Sequence, residues 1–582
     1  MKKLILGMWL TSLASILVAQ TNITQKYQYP IGGSIEMIEK LPGGLVVVGS
    51  SDGISGIEAH SNEVKYTYTK MGKIKPEEMQ IIPNTSYIAL SRGYSKLLID
   101  YTTGKEVFTP AENGWGAIMS VVPDINNNTI TVMGTTLKST YALGVYDLND
   151  LTKKGLVEFT DKKTMGVYIN ALYCYESEGK LFVRTEKGIV CIDKNKVSTD
   201  WVYSDLDKTS SIIKVVADPK KGEYYVCESN GKNHFLHKLD AKGQRTTKKA
   251  IKIPGMPQNI SLTENMLYTH TADLKTTYLQ FYNRETGLAV WKKAFAIKGS
   301  VFMTQVTPNG VVFAAQTGNI NTIDMATGKA VLKKGIKTGA FYKNVILLPN
   351  DLVFYLSIKD MGVANLKTGE FTKEPAKFKK VTNMLSAYDE KNDRLVVSTG
   401  TELYFIKKDG SSTKVMDIKF KEEETPSKIE FREKGILIGA AQNNLLLSYE
   451  GKVLYESYYK APGQSLAAKI ALGAVSAALA TQSVNQGIAG KDKDSRQSAQ
   501  AASGLGGEMS KKFRATEATK NHLYILTKLE DGVGLVKINK DNGVKEAELI
   551  LKDKKPEYKV DEDYGVLYYK KENKLVVGFD LR

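Results

Sequence analysis

Short apolar runs return along this chain at a nearly constant interval, and that interval limits the fold more than any other feature. Runs begin near Leu45, Tyr87, Thr129, Leu181, Tyr224, Met266, Val311, Leu352, Leu395, Ile436, Leu523 and Val566. Most successive starts lie about 41 to 45 residues apart, the period of a four-stranded propeller blade. Each run leads into a polar or glycine-containing turn, then a second alternating strand. A turn rich in Asp, Asn, Lys and Gly follows, then a third strand. The interval from Thr129 to Leu181 is longer by about ten residues, and that from Ile436 to Leu523 is about twice the period. Because each repeat contacts mainly its neighbours, 582 residues need not divide into several independent cores.

The pattern predicts an all-β fold, a β-propeller of about a dozen four-stranded blades. Single rings usually hold about four to eight blades, so the expectation is two tandem propellers, over residues 20–300 and 301–582. No Pro- or Gly-rich linker marks a boundary between them. The chain ends on a strand, Lys574 to Leu581, with no following repeat. Lys26-Tyr27-Gln28-Tyr29 is expected to complete that last blade, closing the array and removing exposed edge strands.

The turns are more specific than the strands. Asp100 opens a frame in which Thr103-Gly104 follows at the third and fourth positions and Phe108 at the eighth. Asn283 repeats it through Thr286-Gly287 to Trp291, and Asp324 through Thr327-Gly328 to Leu332. Asn365 follows with Thr368-Gly369, Asp193 keeps the ends of the frame through Trp201, and Asn539 keeps Gly543. An Asp or Asn side chain bonds the backbone of a tight turn, and glycine supplies the left-handed conformation that closes it. The eighth residue then lies on the next strand, where an aromatic packs between blades. Recurrence in blade after blade makes Asp100, Gly104, Asn283, Gly287, Trp291, Asp324, Gly328, Asn365 and Gly369 structural positions rather than ligand contacts.

This frame resembles the pyrroloquinoline-quinone-type repeat of the quinoprotein alcohol dehydrogenase-like propeller superfamily, over most of the chain from about residue 26 onward. The resemblance implies either a quinone-dependent dehydrogenase or a non-enzymatic, WD40-like binding propeller of the cell envelope. The enzymes of the superfamily carry adjacent cysteines near the cofactor, a tryptophan beneath it and carboxylates on calcium. Here no two cysteines are adjacent, and beyond the leader the only tryptophans are Trp115, Trp201 and Trp291, two of them placed by the repeat. The non-enzymatic reading is therefore the expectation, with no cofactor.

No catalytic set emerges from the residues themselves. His60, His234, His237, His270 and His522 fall in different repeats, apart from His234-x-x-His237. On a strand that spacing sends the two rings to opposite faces, which disfavours joint metal ligation. Asp492-x-Asp494 and Asp541-x-Gly543 lack the further acids of a calcium loop. Gly-x-Ser-x-Gly, phosphate-cradling loops and Cys-x-x-Cys are absent. The expectation is no catalytic, cofactor or metal residues.

The first 19 residues read as a secretory signal: Lys2-Lys3, an apolar stretch from Leu4 to Val18, then Ala19 before polar Gln20. The first cysteine is Cys174, so export without a lipid anchor, to the periplasm or beyond, is the expectation. Cys174, Cys191 and Cys227 all sit in apolar runs and read as buried thiols, with a Cys174–Cys191 bridge as the minority alternative. The formal charge of +17 falls to +15 once Lys2 and Lys3 are removed. Such an excess suits an acidic glycan or an anionic membrane surface. Its lysines are scattered, without Arg clusters or interleaved aromatics, which together with export argues against nucleic acid.

The doubled interval holds the one stretch without strand character, residues 461–512. Pro462-Gly463 stops a strand, Ser465 is a suitable N-cap, and the alanine-rich run from Leu466 to Ala480 favours helix. Leu472, Val475 and Leu479 fall on one helical face with Ile470 beside them, and Leu466 precedes them. These five are the candidate partner-binding residues, presented from one rim of the array. Lys469 and weak hydrophobicity argue against a transmembrane span. The functional expectation is a non-catalytic scaffold that holds an envelope protein through rim loops and this insertion. A quinone- or metal-dependent oxidoreductase and a binder of acidic glycan or envelope surface are the alternatives.

Overall fold

The computed structural model describes residues 21–462 and 517–582, apart from 94, 160–173, 178, 186–187, 207–209 and 380. Among the described residues the strands form twelve sheets of four antiparallel strands, one of them extended by a short fifth. Eleven of the sheets are meanders of consecutive strands and the twelfth takes its fourth strand from the N-terminal segment, so each is one propeller blade. Blades 1 to 6 span residues 35–68, 79–108, 115–159, 174–203, 211–253 and 256–298. Blades 7 to 12 span 301–337, 342–377, 385–417, 428–458, 517–550 and 558–580. Every one of the twelve apolar runs read from the sequence is the second strand of a blade, from Leu45–Ser50 to Val566–Glu572. The second strand is legible because it is sandwiched on both faces: Leu45–Ser50 and Gly310–Ala315 are buried throughout. The first strand is less apolar because it stands innermost, beside the first strands of its neighbours, and Val301–Thr307 contains no fully buried residue.

The blades form one circuit. Leu90 and Ile99 of blade 2 pack against Val47 and Ile54 of blade 1, and buried apolar clusters join later neighbours in the same way. Blades 10 and 11 meet through Tyr459 against Leu523 and Ile525, and through Arg432 on Asp541 and Lys540 on Glu430. Blade 12 then returns to blade 1, through Tyr29, Val566 and Tyr568 against Val46, Val48 and Ile57. The expected division into two propellers has no counterpart in this packing. Phe295 and Ile297 of blade 6 pack with Val311 and Phe313 of blade 7 across residue 300. Interfaces in a repeat array are local, so adding blades widens a ring without demanding a second one.

Closure uses the N-terminal segment as anticipated. Gln25–Pro30 pairs antiparallel with Leu575–Asp580 as the fourth strand of blade 12, placing Tyr29 opposite Val576 with no exposed surface. Thr21–Asn22 continues in parallel along Lys545–Ile550 of blade 11, a pairing with no signal in the sequence. The expected helical insertion, with Leu466, Ile470, Leu472, Val475 and Leu479, lies outside the described residues.

Candidate functional site

The meander gives the ring two unlike faces. The lower face carries the turns joining first to second and third to fourth strands. The upper face carries the turns joining second to third strands and the links from one blade to the next. All the Asp/Asn turns read from the sequence lie below. Asn283 Oδ1 accepts the Thr286 N–H at 2.8 Å, Asp324 Oδ1 that of Thr327 at 2.8 Å, and Asn365 Oδ1 that of Thr368 at 3.0 Å. Asp100 Oδ1 receives Thr102 N–H at 2.7 Å and Thr103 N–H at 3.2 Å. Gly104, Gly287, Gly328 and Gly369 take φ between 66° and 79°.

These glycines do more than turn the chain. A Cβ on Gly328 would stand 2.5 Å from the Trp291 ring, so the bare turn of blade 7 forms the lid over the aromatic of blade 6. Trp291 is 2% exposed and its Nε1 donates to the Met325 carbonyl of blade 7 at 2.8 Å. Trp201 and Gly243 repeat the contact between blades 4 and 5. Trp115 is buried too, its Nε1 donating to Tyr146 Oη at 2.7 Å. All three tryptophans are therefore structural.

The residue after the turn Asp or Asn is a second interblade anchor, one that sequence reasoning missed. Its N–H bonds the blade's own first turn, as from Arg284 to Asn265, Leu366 to Asp351 and Lys540 to Asn521. Leu148 and Leu366 are buried at this position and Met325 is half-buried. Where it is a cation it reaches acids of the preceding blade. The Arg284 guanidinium donates to Asp218 and Glu223 of blade 5, both at 2.6 Å, and to the Thr263 carbonyl at 2.7 Å. Lys194 pairs with Asp124, and Lys540 with Glu430 at 2.9 Å. Beside it Arg432 holds Asp541 at 2.8 Å through both nitrogens, which accounts for the Asp541-x-Gly543 turn without calcium. The Arg284 hydrogen bond holds the Asp218 carboxyl below its usual range, and Arg432 does the same for Asp541. The signal was present as a cation following the turn acid or amide (Asp193-Lys194, Asn283-Arg284, Asn539-Lys540).

The lower-face turns serve blade packing, and the upper rim of blades 6 to 8 gathers four exposed large apolar residues as the candidate site. Met256 opens the first strand of blade 6 opposite Ala272, next to the turn that carries Leu274. Phe302 lies at the same end of blade 7, and Phe341 in the link entering blade 8. These four side chains are 49%, 60%, 38% and 55% exposed. Phe341 is also held at φ 59°, a conformation costly for a bulky residue. Its backbone is pinned there: its N–H reaches the Gln316 carbonyl at 3.1 Å, its carbonyl accepts Ile358 N–H, and Gln316 Oε1 takes the neighbouring Tyr342 N–H at 3.2 Å. The Phe302 and Tyr342 rings lie 5.9 Å apart, joining the rims of blades 7 and 8.

Beside Phe341 an open cleft of about 490 Å³ is lined by Thr317, Thr338, Gly339, Lys359, Asp360 and Phe378. Asp360 builds its floor, accepting Gly339 N–H at 2.8 Å and Ser357 Oγ–H at 2.6 Å. Exposed apolar area, a strained presenting residue and a polar cleft thus adjoin on this rim, the combination expected of a contact surface.

Other candidates resolve into structure. His237 is buried between Tyr203 Oη at 2.8 Å and Glu228 at 2.9 Å, and Ser210 donates to the same Glu228 at 2.7 Å. The serine bonds the acid and not the imidazole, so the set lacks the nucleophile–base contact of acyl-transfer chemistry. His234 shares none of these partners and keeps a ring nitrogen unbonded. His522 lies between Glu546 at 3.0 Å and Glu562, bonded through opposite ring nitrogens, so the two acids cannot close on one ion with it. The Cys174 side chain lies outside the described residues, and Cys191 and Cys227 are free and buried. Burial pushes both thiols up to about 12.

No family model matches the chain, and no curated protein matches it. Solved structures do align with it. BamB from Moraxella catarrhalis is 14% identical over 67% of this chain and 99% of its own, with a TM-score of 0.26. The Dos1 propeller is 11% identical over 64% of this chain and 92% of its own, with a TM-score of 0.29. The dihydro-heme d1 dehydrogenase NirN is 11% identical over 59% of this chain and 73% of its own, with a TM-score of 0.28. Those scores carry no argument about site or activity. The propeller fold rests on the chain's own strand pairing and blade-to-blade packing.

Proposed function

We propose that this chain is a non-catalytic binding scaffold of the cell envelope that holds a protein partner on the upper rim of blades 6 to 8. The carrying observation is Phe341, an exposed aromatic fixed in a costly backbone conformation beside exposed Phe302, Met256 and Leu274. Aromatic anchors on a rigid frame supply contact area with little ordering cost, the usual basis of a protein-binding hot spot. The Asp/Asn–Thr–Gly turn supports placing the chain among quinoprotein-type repeats, and the buried tryptophans favour a non-enzymatic member of that group. The envelope location rests on the Lys2-Lys3 leader pattern.

Capture from an envelope extract of the native host tests the reading. The Phe302→Ser, Phe341→Ser double variant is expected to keep the wild-type melting transition and to lose the captured protein. Capture of the same protein at unchanged yield would overturn the proposal.

A further inference from the structure

The lysines that look scattered in the sequence fall into register once the blades are aligned. Five and six residues beyond the turn glycines Gly243, Gly287 and Gly328 lie Lys248-Lys249, Lys292-Lys293 and Lys333-Lys334. Each pair sits one residue before the short outermost strand of its blade, at Ile251–Ile253, Phe295–Lys298 and Ile336–Lys337. All six side chains are exposed, and none forms an ion pair among the described residues. Lys252, Lys298 and Lys337 continue the charge along the same three strands, again exposed. The outer edge of blades 5, 6 and 7 is thus a single basic band over a quarter of the ring.

Lysine on an edge strand blunts unwanted strand pairing, but that task needs charge of either sign. The same frame in blades 8, 10 and 11 carries Glu374, Glu456 and Glu548. Six like charges in three successive blades repel one another and raise a local positive potential that edge protection does not require. We infer that this band binds a linear acidic polysaccharide. The band contains lysine without arginine in the paired positions, so it offers point charges and no planar forks for phosphate. Trp291, the aromatic next to the central pair, is buried, so bases of a single-stranded nucleic acid find no stacking platform. The edge of a closed ring is convex, which a flexible chain of carboxylates follows and a flat bilayer does not.

Polygalacturonate binding to the full chain tests this, with neutral dextran, an oligothymidylate and phosphatidylglycerol vesicles as comparison probes. Two variants decide it. One replaces the six paired lysines by Gln. The other replaces Lys105, Lys138, Lys232, Lys434, Lys554 and Lys555, which are exposed elsewhere, and so has the same net charge. Wild type is expected to bind polygalacturonate and not dextran, more weakly as salt rises. The band variant is expected to lose at least about 30-fold in affinity at low salt, through loss of roughly three to five counterion-release contacts. The distributed variant should stay within about threefold, since single lysines dispersed over other blades make no contiguous run of contacts with the chain. Equal losses in the two variants, no loss in either, or tighter binding of the oligonucleotide or the vesicles would overturn the assignment. The six substituted lysines precede the outermost strands, whereas Phe302 lies on an innermost strand and Phe341 in the link between blades, so failure of the band leaves the rim proposal standing.

Discussion

Arg284 is the most exposed test of how neighbouring blades are held. Replacing it with Met keeps much of the stem volume while removing a guanidinium whose side chain is 5% exposed. Asp218, 21% exposed, then loses its cation, Glu223, 19% exposed, keeps only Lys238 at 3.2 Å, and the Thr263 carbonyl loses a donor. Breaking a buried ion pair costs about 3–5 kcal/mol. Because each carboxylate keeps about a fifth of its surface and can rehydrate, the discounted loss is about 2–4 kcal/mol. The loss belongs to one interface of a repeat array, so the informative assay is peptide-resolved hydrogen exchange. Glu223–Ser229 of blade 5 and Thr276–Asn283 of blade 6 should exchange faster, and the second strands of blades 1 and 2 should not change. Adding Asp218→Asn removes the one carboxylate left without a cation and should recover part of the lost protection, while Glu223 keeps its Lys238 pair. Unchanged exchange in Arg284→Met would refute the claim that the cation after the turn residue ties blades together.

Three further outcomes follow from the same interfaces. Gly328→Ala forces a Cβ against Trp291 at φ 66° and should cost about 1–3 kcal/mol in urea unfolding, whereas Gly93→Ala, with open space around it at φ 57°, should cost about 1 kcal/mol. Asp124 is buried enough to disfavour its charge, yet Lys194 and Asn127 hold its pKa down to about 2, below an unfolded value near 3.9. Its contribution is therefore complete above about pH 4 and lost as pH falls towards 2; in acid titrations Asp124→Asn should lower stability at pH 7 and flatten that limb. In a Cys174→Ser chain, Cys191 and Cys227 should resist iodoacetamide at pH 8 and both react in guanidinium, because thiols near pKa 12 are about one part in ten thousand thiolate there.

The second strands could be read from the sequence because burial on both faces leaves an uninterrupted apolar run, as in Val46-Val47-Val48. The turns could be read because Asp, Thr and Gly each answer a local backbone demand. Ring number could not, since a contact such as Phe295 with Phe313 looks the same in one ring of twelve as in two smaller ones. The rim was hidden for another reason: Phe341 differs from a core phenylalanine only in its neighbours' geometry, which no periodicity records. The lysine band was concealed by register. Lys248, Lys292 and Lys333 stand far apart in the chain and come into line only when each turn glycine is matched to the next.

Among the described residues the blades make a single ring of twelve, closed by the N-terminal strand. Particle images of the purified chain, averaged along the ring axis, test it most directly. The structure predicts one ring with twelve radial densities. Two separate rings of six or seven blades, or an unclosed arc, would contradict it.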